Sequence, residues 1–308
     1  MVDIDTEGKP FKKIRQLLAD NFLPYQTGKT FTADEIWYKF NFHKRKYPTE
    51  SGYSNVDIRL ALDQVLYYIT KVKKTPELEQ VGNRYRLIDR TTEELKFWEA
   101  DADNMVGLRW PFSPEDDTDF MLDNVEIFPG SPMIVAGASN QGKSAFCLNF
   151  ALLNMENYPV LYMSNEWSGE QLAQRLKPFG RDFKEIQDRI RFIKRYRDWA
   201  DVIEPNHINI VDYLRSDDAY LIGGMINSIK EKLDKGIAVI ALQKPSGRSE
   251  GYGGNPTMWD AQLYLSIDKE KLTIVKAKSF NGANLNDKKF SFKLINKGSQ
   301  FHDIQEID

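Results

Sequence analysis

The residues with the clearest chemical potential form a glycine-containing run near the middle of the chain. It has the spacing GxxxxGKS and lies between a short apolar run and a helical segment. In such a loop, backbone N–H groups can face phosphate oxygens, and the positive end of the following helix dipole lies at the anion. Lys143 can reach the β- and γ-phosphates of a nucleotide, and the Ser144 hydroxyl can bind Mg²⁺. We therefore predict a site for ATP and magnesium formed by Gly137, Ala138, Ser139, Asn140, Gln141, Gly142, Lys143, Ser144 and Ala145.

Three further polar residues come shortly after apolar runs that read as strands. They are Glu166, Asp212 and Gln243. The carboxyl ends of parallel strands form one edge of a sheet, so we expect all three near the phosphate-binding loop, with the Glu166 strand next to the loop's own strand. There Glu166 could polarise an attacking water, Asp212 could support magnesium through water, and Gln243 could contact the γ-phosphate. Taken alone, Glu166 would more often be a helix-capping residue.

The composition limits the class of protein. The chain has 308 residues, 41% of them hydrophobic and 28% charged, which is typical of a globular protein and favours two domains. No apolar run is long enough to span a membrane, and the first residues carry no apolar signal segment, so we expect a cytoplasmic protein without membrane contact. Cys147 is the single cysteine, which excludes an internal disulfide, and three scattered histidines form no zinc pattern.

The net charge of −3 is unevenly distributed. Residues 1–8 carry −3, residues 9–90 carry +7, residues 91–130 carry −9 and residues 131–308 carry +2. We therefore expect a basic domain over 1–90, an acidic linker over 91–117 and a nearly neutral domain over 118–308. In the acidic part, Trp98, Trp110 and Phe112 are candidate anchors that dock on a neighbouring surface.

The basic domain is predicted to contain three helices followed by a two-stranded hairpin. Apolar spacing marks the first and third helices, Thr32 and Glu35 form a capping box for the second, and Ser54 can cap the third. Gly82-Asn83 joins the two strands. This order resembles a small α+β winged-helix domain. DNA phosphates could be contacted by Lys44, Arg45, Lys46, Arg84 and Arg86. A solvated basic face and a winged helix that binds protein are the alternatives.

The ordered motifs together are more specific than any one of them. They are GASNQGKS, LYMSNEWSGEQLAQRL, NIVDYL, AVIALQK and YGGNPTMWDAQLYLSI. This series, over about residues 118–308, resembles the RecA-like P-loop ATPase core of the DnaB-type replicative helicases, particularly the short phage- and plasmid-type versions. The resemblance implies an α/β fold with a mostly parallel central sheet, helices on both faces, and assembly into hexamers or filaments with ATP and magnesium between subunits. It also implies that Glu166 activates water, Asp212 supports magnesium and Gln243 senses the γ-phosphate.

The same resemblance places two loops at single-stranded DNA. The first spans 213–222 and contains Arg215, and the second spans 244–257 and contains Lys244 and Arg248. The second loop is rich in glycine and polar residues, as expected of a mobile loop that follows a nucleic-acid backbone. A flexible surface connection is the alternative interpretation.

One position departs from the helicase pattern. DnaB-type helicases carry a lysine and, two residues later, an arginine that both reach the γ-phosphate of the neighbouring subunit. Here Lys278 fits the lysine, but Phe280 stands at the arginine position, and the pair Lys276 and Lys278 is more similar to the paired lysines of RecA recombinases. Either two lysines suffice, or hydrolysis is slow and the protein acts as a switch.

Three hypotheses for function follow. The first is an oligomeric replicative-type DNA helicase. The second is an ATP-switched DNA-binding initiator or regulator. The third is a helicase-loading or signalling ATPase whose winged helix binds protein and which is not itself a processive motor.

Overall fold

The computed structural model describes residues 9–42, 55–90, 92, 94–96 and 98–308. The chain groups into two compact units, residues 1–100 and 101–308. Among the described residues, no helix combines the length and the apolar character needed to cross a bilayer.

The described part of the first unit contains helices and a small antiparallel sheet. Its elements are α1 (Lys9–Asn21), β1 (Thr30–Phe31), α2 (Ala33–Lys39), α3 (Asn55–Tyr67), β2 (Leu78–Val81) and β3 (Arg84–Leu87), and the strand order is β1-β3-β2. The predicted capping box is present, since Thr32 Oγ1 accepts from the Glu35 N–H at 3.1 Å and the Glu35 carboxylate accepts from the Thr32 N–H. Ser54 lies outside the described residues.

Strand β1 is an element that the sequence analysis did not assign. It has two residues and pairs with β3, and Arg84 holds it by donating to the hydroxyl and the carbonyl of Thr30, both at 2.8 Å. The core beneath it is made of apolar residues of α1 and α3, including Ile14 and Leu62. The apolar residues that mark the third helix are buried through α3 and as far as Ile69 in the π-helical segment that follows (Tyr68–Val72), whereas Val72 at the end of that segment is exposed.

The second unit, which is described throughout, is built on a nine-stranded sheet. Its strands are β6 (Pro132–Gly137), β7 (Val160–Ser164), β8 (Ile190–Lys194), β9 (Ile208–Leu214), β10 (Ile237–Gln243), β11 (Leu263–Asp268), β12 (Lys271–Ala277), β13 (Lys289–Ile295) and β14 (Gln300–Ile307). The order is β14-β13-β12-β11-β6-β10-β9-β7-β8. The strands from β11 to β8 are parallel and the remaining neighbours are antiparallel.

Helices pack around this sheet and create two apolar clusters. The helices are α4 (Lys143–Asn154), α5 (Gly169–Leu176), α6 (Phe183–Arg189) and α7 (Ile222–Lys230). Alternate residues of β6 belong to different clusters, with Met133 and Val135 in one and Ile134 and Ala136 in the other. Because β6 is buried on both faces, it reads as a continuous apolar run, as expected of a central parallel strand.

The segment predicted as an acidic linker contributes to this unit. Trp110 is buried against Phe150 of α4, with ring centroids 5.2 Å apart. The side chain of Asn154 holds the backbone of Arg109, the residue before Trp110. It accepts from the Arg109 N–H at 2.8 Å and donates to the Arg109 carbonyl at 2.7 Å. A short hairpin follows, formed by β4 (Phe112–Ser113) and β5 (Thr118–Asp119). Trp110 therefore packs on α4, the helix that follows the GxxxxGKS loop in the same unit.

Candidate functional site

Two glycines give the phosphate-binding loop its shape. The loop runs from the end of β6 at Gly137 to the start of α4 at Lys143. Gly142 has φ = +106°, and a Cβ there would lie 2.8 Å from Leu294 Cδ1. At Gly137 a Cβ would lie 2.8 Å from Lys143 Cγ and 2.9 Å from the Ile267 carbonyl oxygen. Side chains at these two positions would clash with the protein itself, so glycine is required for the loop to keep this shape, and the N-terminus of α4 lies at its end.

Lys143 is a buried cation inside this loop. Its residue exposure is 6%, and its Nζ donates to the Ala138 carbonyl at 2.9 Å. Burial lowers the pKa of Lys143, while the negative charges of Asp212 and Glu166 act in the opposite direction. A lysine held this way stands close to where the β- and γ-phosphates would lie, and phosphate oxygens would be better partners for it than one carbonyl.

Asp212 lies at the centre of the site and is held by two hydroxyl groups. It is 0% exposed. Ser144 Oγ donates to Asp212 Oδ1 at 3.2 Å, and the Tyr162 hydroxyl donates to Asp212 Oδ2 at 2.7 Å. Burial raises the pKa of Asp212, and these two hydrogen bonds oppose the shift. Tyr162 is a site residue that was not predicted. The signal that could have indicated it is a hydroxyl group within the apolar run of β7.

Ser144 and Asp212 fit the magnesium ion that such a loop implies. Mg²⁺ prefers hard oxygen ligands and is usually held by one or two protein groups together with waters and substrate phosphates. The described residues contain no group of three or more His, Cys, Asp or Glu that could hold a metal by themselves. A hydroxyl and one carboxylate are therefore suited to a metal that arrives with a nucleotide.

Glu166 follows β7, as predicted, but this strand has another place in the sheet than expected. The strand β7 is not next to β6, because β10 and β9 lie between them, so the predicted adjacency is wrong. The Glu166 side chain is exposed, and its backbone N–H donates to Ser164 Oγ at 3.2 Å. Its charge acts on the pKa of both Lys143 and Asp212, which places it within electrostatic range of the loop.

Gln243 links β10 to the phosphate-binding loop. Its Nε2 donates to Ser139 Oγ at 3.2 Å, and the next residue's N–H donates to the Gly137 carbonyl at 3.1 Å. The side chain that should sense the γ-phosphate is therefore in contact with the loop that would bind it.

Lys244 does not contact solvent, which contradicts its predicted role as a DNA contact. Its side chain is 1% exposed and is paired with Asp268 Oδ1 at 2.8 Å. Its Nζ also donates to the Arg248 carbonyl at 2.5 Å. The reason is that Lys244 directly follows β10, and Asp268 at the end of β11 supplies the carboxylate that pairs with it. Arg248 itself and Arg215 are exposed, as a role in nucleic-acid contact requires.

The loop 244–257 is also fixed at its far end. The Tyr264 hydroxyl accepts from the Gly251 N–H at 2.8 Å and lies 3.2 Å from Thr257 Oγ1. The Tyr252 N–H donates to the Gln243 carbonyl at 2.7 Å. The loop is therefore attached directly to the strand that carries Gln243.

Replacing Lys244 with methionine is expected to release this loop. The change keeps the length of the side chain but leaves Asp268 and the Arg248 carbonyl without their shared donor. Loss of charge-assisted hydrogen bonds costs about 1.5–3 kcal/mol, which corresponds to about a tenfold or larger rise in local opening. Limited trypsin digestion with mass detection of the cut after Arg248 measures this rise. Lys269→Met, which removes an exposed neighbouring lysine, is the control. Equal cutting rates in the two variants would contradict the assignment.

The two candidate trans-acting lysines have different surroundings. Lys276 Nζ donates to the Met258 carbonyl and lies 3.5 Å from the Trp259 carbonyl, and burial together with the charge of Lys278 lowers the pKa of Lys276. The Lys278 side chain is exposed. Its backbone is held, since its N–H donates to the Gln262 carbonyl at 3.0 Å and the next carbonyl accepts from the Glu126 N–H at 3.0 Å.

Phe280 belongs to the packing of the unit. It forms an antiparallel bridge with Val125 and packs against the large apolar cluster. This accounts for the absence of an arginine, because a guanidinium would have to leave water at this position.

Two of the predicted DNA contacts in the first unit are paired with carboxylates. Arg84 pairs with Glu35 at 3.1 Å, and Arg86 pairs with Glu79 at 2.5 Å. The predicted contacts Lys44, Arg45 and Lys46 lie outside the described residues.

Comparisons with known proteins found similar sequences and similar structures. Residues 119–239 match the family model of the KaiC ATPase. A probable replicative DNA helicase from Trieres chinensis is 32% identical over 134 residues, an alignment covering 41% of this chain and 27% of that protein. A KaiC-like protein from Pyrococcus horikoshii, known from a crystal structure, aligns at 15% identity with a TM-score of 0.47 over 64% of this chain and 99% of that chain.

The predicted α/β class with a mostly parallel central sheet and a RecA-like ATPase core is confirmed. The strand order, the phosphate-binding loop and the family match agree on it. The match to the KaiC ATPase family model is confined to residues 119–239, which contain the phosphate-binding loop, Glu166 and Asp212.

Proposed function

We propose that this protein is an oligomeric Mg²⁺-dependent ATPase that acts on DNA, in the manner of a replicative helicase. The observation that carries the proposal is the convergence of Lys143, Ser144, Asp212 and Gln243 on one loop, with Glu166 within electrostatic range. A homo-oligomer, with the hexamer as the expected form, would place this edge of the sheet against a second copy.

Hydrolysis would use these residues as follows. The α4 N-terminus and Lys143 bind the phosphate oxygens and neutralise their charge. Glu166 accepts a proton from water as the water oxygen attacks the γ-phosphorus, and the bond from that phosphorus to the β–γ bridging oxygen breaks, releasing ADP and phosphate. Magnesium, held by Ser144 and through water by Asp212, would neutralise charge on the β- and γ-phosphates. Gln243 contacts the γ-phosphate and communicates its loss to the loop 244–257.

Lys278 is the candidate for completing the site of a neighbouring copy. It is exposed, whereas Lys276 is turned towards its own chain. A lysine supplies charge but not the bidentate geometry of arginine, so a lower rate of hydrolysis than in an arginine-containing site is expected.

Contact with single-stranded DNA is assigned to the exposed arginines of the two loops. Arg215 follows β9 and Arg248 lies in the loop after β10, so both extend from strand ends near the nucleotide site. Neutralising DNA phosphates in this way makes binding strongly dependent on salt.

The first unit favours a second candidate function. Its order of helix, strand, two helices and hairpin supports a winged-helix assignment. However, the exposed side of α3 carries Val56, Leu60 and Tyr67, which are 76%, 58% and 53% exposed, together with Asp63. Arg59 on this helix is paired with Asp34 and Asp63. An apolar and acidic surface is better suited to binding another protein than to binding DNA, because DNA phosphates require cations. This surface therefore favours a helicase-loading or signalling ATPase whose first unit binds protein.

ATPase rate with and without single-stranded DNA tests the proposal. We expect Mg²⁺-dependent hydrolysis that DNA stimulates, and assembly into a larger species when mass is measured with a non-hydrolysable ATP analogue. Hydrolysis without stimulation would favour the loading or signalling function. Absence of both nucleotide binding and hydrolysis would contradict the ATPase assignment itself. Arg248→Ala should remove the stimulation, whereas Lys235→Ala, an exposed change elsewhere, should not.

A further inference from the structure

The carboxylate of Asp212 depends on neighbouring side chains for its orientation. It is fully buried, so solvent does not hold it. Its shorter hydrogen bond comes from Tyr162, at 2.7 Å to Oδ2, and its longer one comes from Ser144, at 3.2 Å to Oδ1. A buried carboxylate is fixed by the donors around it, and removing one donor frees it to rotate.

The Tyr162 ring is itself held in place by two aromatic rings. Trp167 stacks on it with centroids 5.7 Å apart and an interplanar angle of 28°, and Phe192 lies 5.2 Å away at 35°. Arg175 lies 4.9 Å above the Trp167 ring. Trp167 directly follows Glu166, and Phe192 belongs to β8. Packing against these two rings thus holds the Tyr162 ring with its hydroxyl at Asp212.

We propose that Tyr162 is a positioning residue for the magnesium site. Its hydroxyl holds the Asp212 carboxylate in the orientation in which Oδ1 accepts the hydrogen bond from Ser144 Oγ. This inference rests on the proposed function, because it takes Ser144 and Asp212 as the residues that support magnesium. If the Ser144 oxygen coordinates a metal, its hydroxyl hydrogen still needs a hydrogen-bond acceptor. In the observed orientation of the carboxylate, Asp212 Oδ1 is that acceptor. Residues that orient metal ligands typically change metal affinity about 10–100-fold when removed.

Tyr162→Phe tests this assignment because it removes one oxygen and keeps the ring. Binding of a fluorescent, non-hydrolysable ATP analogue is measured over a range of Mg²⁺ concentrations and separately in EDTA. We expect the Mg²⁺ concentration for half-maximal binding to rise about tenfold, with affinity in EDTA unchanged. Tyr158→Phe is the matched control, since its hydroxyl donates to the Gly107 carbonyl at 3.2 Å, away from the loop.

A second variant separates positioning from loss of structure. Phe192→Leu loosens the Tyr162 ring without altering its hydroxyl, so a smaller shift in the same direction is expected. An unchanged Mg²⁺ requirement in Tyr162→Phe would overturn the inference while leaving the ATPase assignment intact. Equal weakening with and without Mg²⁺ would also overturn it, because that is the result of a purely structural role. If the unmodified protein failed to bind the analogue under both conditions, the proposed function itself would fail.

Discussion

Replacing Lys143 with alanine is expected to abolish ATP hydrolysis without lowering the melting temperature of the nucleotide-free protein. The ammonium group is the main cation within the loop, and loss of one preorganised donor at a reacting oxyanion typically costs about 10²–10³ in rate. Its neighbour in the nucleotide-free structure is one carbonyl, and its burial disfavours the charged form. Removing it therefore relieves a buried charge instead of opening the core.

Steady-state phosphate release and thermal unfolding measure the two halves of this prediction. Lys235→Ala serves as the control because it removes an exposed lysine from the same unit. Hydrolysis at the unmodified rate would show that the loop does not bind the transferred phosphate. A large fall in melting temperature would instead assign Lys143 to stability.

Replacing Glu166 with glutamine is expected to separate binding from turnover. The amide keeps the shape of the side chain but cannot accept the proton of the attacking water, and loss of a general base typically costs about 10²–10⁴ in rate. Because the Glu166 side chain is exposed and makes its observed hydrogen bond through the backbone, nucleotide affinity and folding should change little. Single-turnover hydrolysis and analogue binding together test this.

Glu170→Gln is the matched control for this experiment. Glu170 lies four residues further along the chain, in the first turn of α5, and accepts from Ser168 Oγ at 2.6 Å. We expect its turnover to match that of the unmodified protein. If Glu166→Gln also retained normal turnover, another group would have to act as the base.

Local patterns were sufficient to predict the loop and much of the first unit. The GxxxxGKS run is specific because its glycines are needed for the backbone of the loop and its lysine and serine for binding phosphate and magnesium. The capping box of Thr32 and Glu35 is equally local, because all of its hydrogen bonds form within four residues. The strands β13 and β14 were not assigned, although alternating burial of Phe290 and Phe292 in β13 is the pattern that would have indicated one of them.

Contacts between distant segments could not be predicted. Lys244 reads as a surface cation, and only folding brings Asp268 to it across 24 residues. The Tyr162 hydrogen bond to Asp212 spans 50 residues. Asn209 interrupts an apolar strand, yet its side chain donates to the carbonyls of Glu204, His207 and Ile237. In each case the sequence shows the polar group but not which partner satisfies it.

The anchoring of the segment around Lys278 has a consequence for the entropy of assembly. Its backbone is fixed to Gln262 and Glu126, and the bridge of Phe280 to Val125 continues this attachment. In the proposed oligomer, in which Lys278 would complete the site of a second copy, the main chain of this segment would have little freedom left to lose on assembly. The ordering cost of contributing this cation is then confined to one lysine side chain, about 2 kcal/mol, so a modest favourable contact with phosphate can offset it.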